Sequence, residues 1–108
     1  MIHELRIYNC VPGRMPDVLA RLETAGRHFF RKHGIEPVGF WTVMVGESSQ
    51  QIYYMLRWQS LADREAKWAA LVSDEEWLVK RRETESNGPI VASVSNTLLS
   101  LTAFSRPV

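Results

Sequence analysis

The sequence predicts an α+β domain with element order β-α-β-β-α-β and a four-stranded antiparallel sheet whose helices cover one face. Three observations predict it. Four strand-like stretches occur, near Ile2–Tyr8, Val38–Val45, Ile52–Trp58 and Ile90–Leu101. Two helical regions separate them, Arg14–His33 and Leu61 to about Glu85. The middle strands are apolar on both faces, which a sheet with one wet face would not be.

The first strand alternates, with Ile2, Glu4, Arg6 and Tyr8 on one face and His3, Leu5 and Ile7 on the other. Pro12-Gly13 ends it. In the first helix Met15, Val18, Leu19, Leu22, Ala25, Gly26 and Phe29 fall on one stripe at about 100° per residue, while Arg21, Arg27, His28 and Arg31 point elsewhere. Gly34 suits the position after a helix end, and Pro37 forbids continuation. GESSQ is a turn between the second and third strands. Ser60-Leu-Ala-Asp63 has the capping-box form, so a helix starts at Leu61; it sets Leu61, Trp68, Leu71 and Val72 on one side and Ala62, Ala66, Ala69 and Ala70 on another. Ser73-Asp-Glu-Glu76 repeats the capping pattern and predicts a second short helix. Asn87-Gly88-Pro89 ends it, and FSRPV is a tail. The order is that of a ferredoxin-like fold. Because its helices cover one sheet face only, the apolar second face calls for a cover. The simplest is another copy, sheet against sheet, so a homodimer is expected.

The bulk numbers narrow the function classes. A chain of 108 residues suits one domain, residues 1–108. With 45% hydrophobic and 23% charged residues the composition is that of an ordinary globular protein. Thirteen basic residues against twelve acidic leave a net charge of +1, which argues against a nucleic-acid partner. The one basic cluster, Lys80-Arg81-Arg82, runs straight into Glu83 and Glu85 and reads as a solvated helix face. Cys10 is the single cysteine, so no intrachain disulfide can form. No apolar run approaches the roughly 20 residues that span a bilayer, and the first strand lacks the apolar block of a signal peptide. The expected location is the cytoplasm, with no membrane partner.

Several segments together resemble the NIPSNAP family. They are ELRIY at Glu4–Tyr8, PGR at Pro12–Arg14, KHGIEPVGFW at Lys32–Trp41, SLADREAKWAAL at Ser60–Leu71, DEEW at Asp74–Trp77 and ESNGPIV at Glu85–Val91. The likeness covers nearly the whole chain in order. It implies two ferredoxin-like sheets facing each other as a dimeric α/β barrel. The family has no established reaction and no agreed catalytic residues. Similar barrels in other families include cofactor-free monooxygenases, small isomerases and haem-degrading enzymes, an analogy at the level of fold.

His33 draws attention first among the chemical groups. It lies eighteen residues on from Met15, a whole number of turns at about 3.6 residues each, and so is expected on the inward stripe. There it is either an acid–base group or a histidine that hydrogen-bonds a loop carbonyl and fixes the joint. Glu4 and Arg6 share one strand face, as a structural ion pair or as handles for a polar ligand group. Tyr8 can donate to a ligand carbonyl or be ordinary rim material. Trp41, Tyr54, Trp58 and Trp68 make an aromatic interior, suited to a flat apolar ligand or to plain packing. Arg64 can reach a carboxylate of a ligand, of Asp63 or Glu65, or of a neighbouring chain. Cys10 has no local base and reads as a core thiol. His3, His28 and His33 have no metal-ligand spacing, and no phosphate loop or nucleophile elbow is present. The leading expectation is a small-molecule pocket between sheet and helices, with His33, Tyr8 and Arg64 as catalytic candidates and Glu4, Arg6, Trp41, Tyr54 and Trp68 as ligand-binding ones. Its chemistry would be cofactor-free oxidation or isomerisation. The alternatives are a non-catalytic dimeric scaffold and a haem protein with His33 as ligand; otherwise no cofactor is expected.

Overall fold

The computed structural model describes residues 1–108. Strand β1 (Ile2–Cys10) leads into a continuous helical rod made of α1 (Met15–Arg21), a π-helical turn (Leu22–Gly26) and α2 (Arg27–Lys32). Strands β2 (Glu36–Thr42) and β3 (Gln51–Trp58) follow, then α3 (Leu61–Val72), α4 (Glu75–Thr84) and β4 (Val91–Ser100). The sheet order is β2-β3-β1-β4 with every pair antiparallel, the ferredoxin-like arrangement expected. The shortest dimension is 18 Å, one sheet plus one layer of helices, so the second sheet face lies bare.

On the helix side, β3 contributes Ile52, Tyr54, Leu56 and Trp58, all at most 1% exposed. Val18, Leu22, Ala25, Phe29 and Phe30 of the helical rod, Leu71 of α3 and Ile90 close this core. The opposite face carries Leu5, Ile7, Tyr53 and Met55, which are half-buried, with Trp41 and Leu99 exposed. Trp41 lies over Gly39, where an added Cβ would come within 2.9 Å of its ring. One end of this face is met by the tail, where the Val108 carbonyl accepts from Arg57 Nε at 2.8 Å and lies 2.7 Å from His3 Nε2.

Three local differences from the sequence reading have physical causes. The second strand ends at Thr42 rather than Val45, because β3 begins at Gln51 and Thr42–Ile52 is the last pair of the ladder; Met44 and Val45 are almost fully exposed in the turn. The cap of α4 is Asp74 rather than Ser73. Asp74 accepts from Glu76 N at 2.9 Å, while Ser73 Oγ donates back to the Ala69 carbonyl and closes α3. The π turn inserts one residue into the rod and sets everything beyond it back by about 100°. It therefore brings Phe30 into the buried surface and turns His33 away from the predicted stripe; ahead of it, in α1, Arg21 is buried and Leu19 is exposed.

His33 ends the rod. Its Nε2 lies 2.7 Å from Asp74 Oδ2, and Lys32 Nζ reaches the same oxygen at 2.8 Å. Hydrogen bonds from Lys32 and His33 hold the Asp74 carboxyl well below the usual carboxylate range. A single carboxylate thus joins the end of α2 to the start of α4, using an acidic side chain rather than a loop carbonyl. Capping of the rod is completed by Gly34, whose φ is +69°. Its N–H bonds the Arg31 carbonyl and that of Ile35 bonds Phe30, both bonds of a Schellman motif.

A Cβ at Gly34 would meet only the end of Lys67, so substitution tests the backbone alone. Gly34→Ala is expected to cost about 1–2 kcal/mol, the penalty for a left-handed residue with a side chain. That is a fall of several degrees in Tm by calorimetry. An unchanged Tm would contradict the left-handed cap.

Candidate functional site

Alternation along β1 sends Glu4, Arg6 and Tyr8 to the helix side, so this face is not the bare one. The register places Arg6 between Tyr54 and Asn96, and Tyr8 between Ile52 and Val94. Glu4 is 0% exposed, and its carboxylate is met from four elements. Oε1 accepts from Trp58 Nε1 at 3.0 Å and Arg64 Nε at 2.8 Å. Oε2 accepts from Arg64 Nη2 at 3.0 Å, Asn96 Nδ2 at 3.0 Å and Arg6 Nη1 at 3.1 Å. Burial pushes this carboxyl up, but the hydrogen bonds from Arg64 and Asn96 and the charges of Arg6 and Arg64 outweigh it and hold the group at about 2. Arg64 is brought here by α3, whose start is fixed by Ser60 Oγ accepting from Asp63 N at 3.1 Å. Asp63 itself pairs with Lys67, which leaves Arg64 to Glu4.

A second chain of bonds starts at Arg6. Its Nε donates to Tyr54 OH at 2.7 Å, and Tyr54 OH donates to Tyr8 OH at 2.9 Å. The direction follows from burial. Tyr54 is 0% exposed and already accepts from Arg6, so its one proton has only Tyr8 to bond. Tyr8 therefore keeps its own proton for another acceptor. The guanidinium of Arg6 also lies 4.5 Å from the ring centre of Trp68, in cation–π contact.

Arg6, Tyr8 and Trp68 open on a cavity of about 410 Å³ between sheet and helices, within the usual range for small-molecule sites. Leu22, Phe29, Phe30, Leu71 and Trp77 form most of its wall, and Val91–Val94 its rim on the edge strand. Arg21, Arg81 and Glu85 supply its other charges, with Glu85 3.6 Å from Arg21 and 3.7 Å from Arg81. A larger recess of about 770 Å³ between the outer sides of the rod and α4 opens widely to solvent and has three apolar lining residues among ten, so it encloses a ligand far less well.

Of the residues singled out in the sequence, Arg6, Tyr8 and Trp68 line the cavity. Glu4, Tyr54 and Arg64 stand behind them as their support. Trp41 is on the opposite sheet face, 51% exposed, and is no wall of this cavity, because the strand's alternation gives the core side to Phe40. His33 is also outside it, bound to Asp74. No histidine lines the cavity, so it contains no axial ligand of the kind haem would need from His33. Cys10 is buried, and burial pushes its thiol up. No group of three potential metal ligands comes together, and no helix is long and apolar enough to cross a membrane. Sequence reasoning passed over Arg21, Arg81, Glu85 and Trp77. Arg21 had left one signal, since it stands three residues after Val18 and four before Ala25, at the edge of the apolar stripe.

The Glu4 cluster makes stability depend on acid. The carboxyl titrates at about 2 when folded and near 4.5 when not, so the unfolded chain takes up its proton first as pH falls. The stabilisation is complete above about 4.5 and is lost between there and about 2, amounting to about 3 kcal/mol. Urea unfolding followed across that window is expected to show this slope. Glu4→Gln should flatten it and cost about 3–5 kcal/mol at neutral pH, because two guanidinium groups lose their only carboxylate.

The NIPSNAP family model matches residues 3–106. No curated protein matches the chain. Among solved structures, a NIPSNAP family protein of Agrobacterium tumefaciens is 26% identical over 96% of this chain and 95% of its own, with a TM-score of 0.84. A second protein of that organism, a NIPSNAP family protein with unknown function, is 26% identical over 97% of this chain and 91% of its own, with a TM-score of 0.83. An uncharacterised NIPSNAP domain protein of Burkholderia xenovorans is 19% identical over 99% of this chain and all of its own, at 0.84, a likeness of fold. With a family match across nearly its full length, this chain belongs to the NIPSNAP family.

Proposed function

We propose that the cavity between sheet and helices binds a small apolar or aromatic molecule, which Tyr8 holds through an oxygen. The observation that carries this reading is the relay from Arg6 through Tyr54 to Tyr8, which ends in a free phenolic proton at an apolar cavity. A plain core has no use for a polarised donor there. Trp68 and Trp77 give the cavity flat walls for a ring.

The same donor can polarise a ligand carbonyl and hold the charge of an enolate, the step shared by cofactor-free oxygenation and keto–enol isomerisation. Proton removal needs a base as well. The one carboxylate in the lining, Glu85, is shared by Arg21 and Arg81. This favours the second reading, binding without turnover, over proton abstraction by the protein. The reading includes a homodimer. Leu5, Ile7, Trp41, Tyr53, Met55 and Leu99 make the bare sheet face apolar, and a second sheet packed on it would remove that surface from water as a dimeric α/β barrel.

Two experiments test these statements. In a thermal-shift screen of aromatic and apolar metabolites, a ligand at about 100 times its Kd is expected to add roughly 2.7 kcal/mol, a rise of several degrees. Trp68→Ala should abolish the rise; a panel with no hit, or hits indifferent to Trp68, would count against the cavity. In sedimentation equilibrium the protein is expected at twice the chain mass and Met55→Asp at the chain mass. A monomeric wild type would end the dimer reading.

A further inference from the structure

We infer that the ligand of this cavity is a monocarboxylic acid with a flat apolar body, its carboxylate bridging Arg6 and Tyr8. The inference rests on the reading of the cavity as a ligand site and names the class of molecule. It follows from an imbalance of charge. Glu4 carries one negative charge and is shared by two guanidinium groups, Arg6 and Arg64, neither of which pairs with a second carboxylate. One positive charge is left over. Glu4 has no room to answer it, since it already accepts five hydrogen bonds with about four lone-pair directions.

The surplus is on the cavity side. Arg64 gives Nε and Nη2 to Glu4 from behind, whereas Arg6 lines the cavity. Arg6 spends Nε on Tyr54 and Nη1 on Glu4, and its Nη2 makes no hydrogen bond within the protein. Its side chain is 12% exposed, and that exposure is to the cavity. A cation so far out of water is costly without a counter-ion, and the face of Trp68 offsets only part of the cost. The other charged groups repeat the pattern, with Arg21 and Arg81 sharing Glu85. The lining as a whole is thus positive.

The geometry also limits the anion. The unpartnered Nη2 and the free proton of Tyr8 are one relay apart, two donors for the two oxygens of one carboxylate. Eleven of the seventeen lining residues are hydrophobic, which suits a ring system behind the carboxylate rather than a second ionised group.

The test compares matched probes on the unaltered protein. Benzoic, 2-naphthoic and indole-3-acetic acids and their primary amides are titrated at neutral pH by calorimetry. At least one acid is expected to bind about tenfold tighter than its amide, or more, the worth of a charge-assisted over a neutral contact. Arg6→Gln should bring that acid down to the level of the amide, and Tyr8→Phe should weaken it. Equal affinities for acids and amides would overturn the inference and leave the cavity as a neutral-ligand site. No binding by either series would overturn the inference together with the cavity reading. Should Arg6→Gln fail to fold, the acid–amide comparison decides alone.

Discussion

A carboxylate with no exposure to water organises this molecule. Glu4 sits on a central strand, on the sheet's covered face, where a charge survives only if it is fully hydrogen-bonded. Its donors come from β1, β3, β4 and α3. Satisfying one side chain therefore fixes three strands in register and clamps a helix across them. The requirement also orients the groups that matter for ligands. Arg6 can face the cavity because Glu4 holds one of its nitrogens, and Tyr8 presents its proton because Tyr54 has nowhere else to send its own.

The second tie is Asp74, and it works on the helices as Glu4 works on the sheet. It caps α4 with one oxygen and receives the end of the rod, Lys32 and His33, with the other. His33 is thus a joint between helices, with its ring between two elements rather than over the sheet. The cavity lies between these two ties and is bounded by elements that each one holds in place.

Much of the fold was legible because it depends on local rules. Alternation marked β1, Ser60 marked the start of α3, and Gly34 marked the end of the rod. Apolar residues on both faces of β3 signalled that the second sheet face is unlike ordinary surface. Legibility failed where the deciding interaction was distant or broke a period. The end of β2 was set by where β3 begins, so Val43–Val45 looked like strand and formed turn. The phase of His33 was lost at a π turn that no residue between Leu22 and Gly26 announces. Arg6, Tyr8 and Trp68 could be named from the sequence as candidates, but their convergence on one cavity could not, since it needs β1 and α3 side by side. Arg21 was hidden by its charge, which kept it out of a stripe drawn from apolar residues, and Glu85 by its place at the end of a helix with no apolar stripe of its own.

That π turn has a consequence for how such a chain can vary. It is a one-residue insertion, and it sits in the cavity wall, where Leu22 and Gly26 line the space and Arg21 precedes them. Removing one residue would restore an even helix and swing Phe29, Phe30 and the joint at His33 around the axis together, while β1 and α3 stayed where Glu4 holds them. Cavity shape and helix docking are therefore geared to one another by chain length in this segment. Variation by substitution can retune the wall piece by piece, whereas a single insertion or deletion would exchange one wall for another in one step.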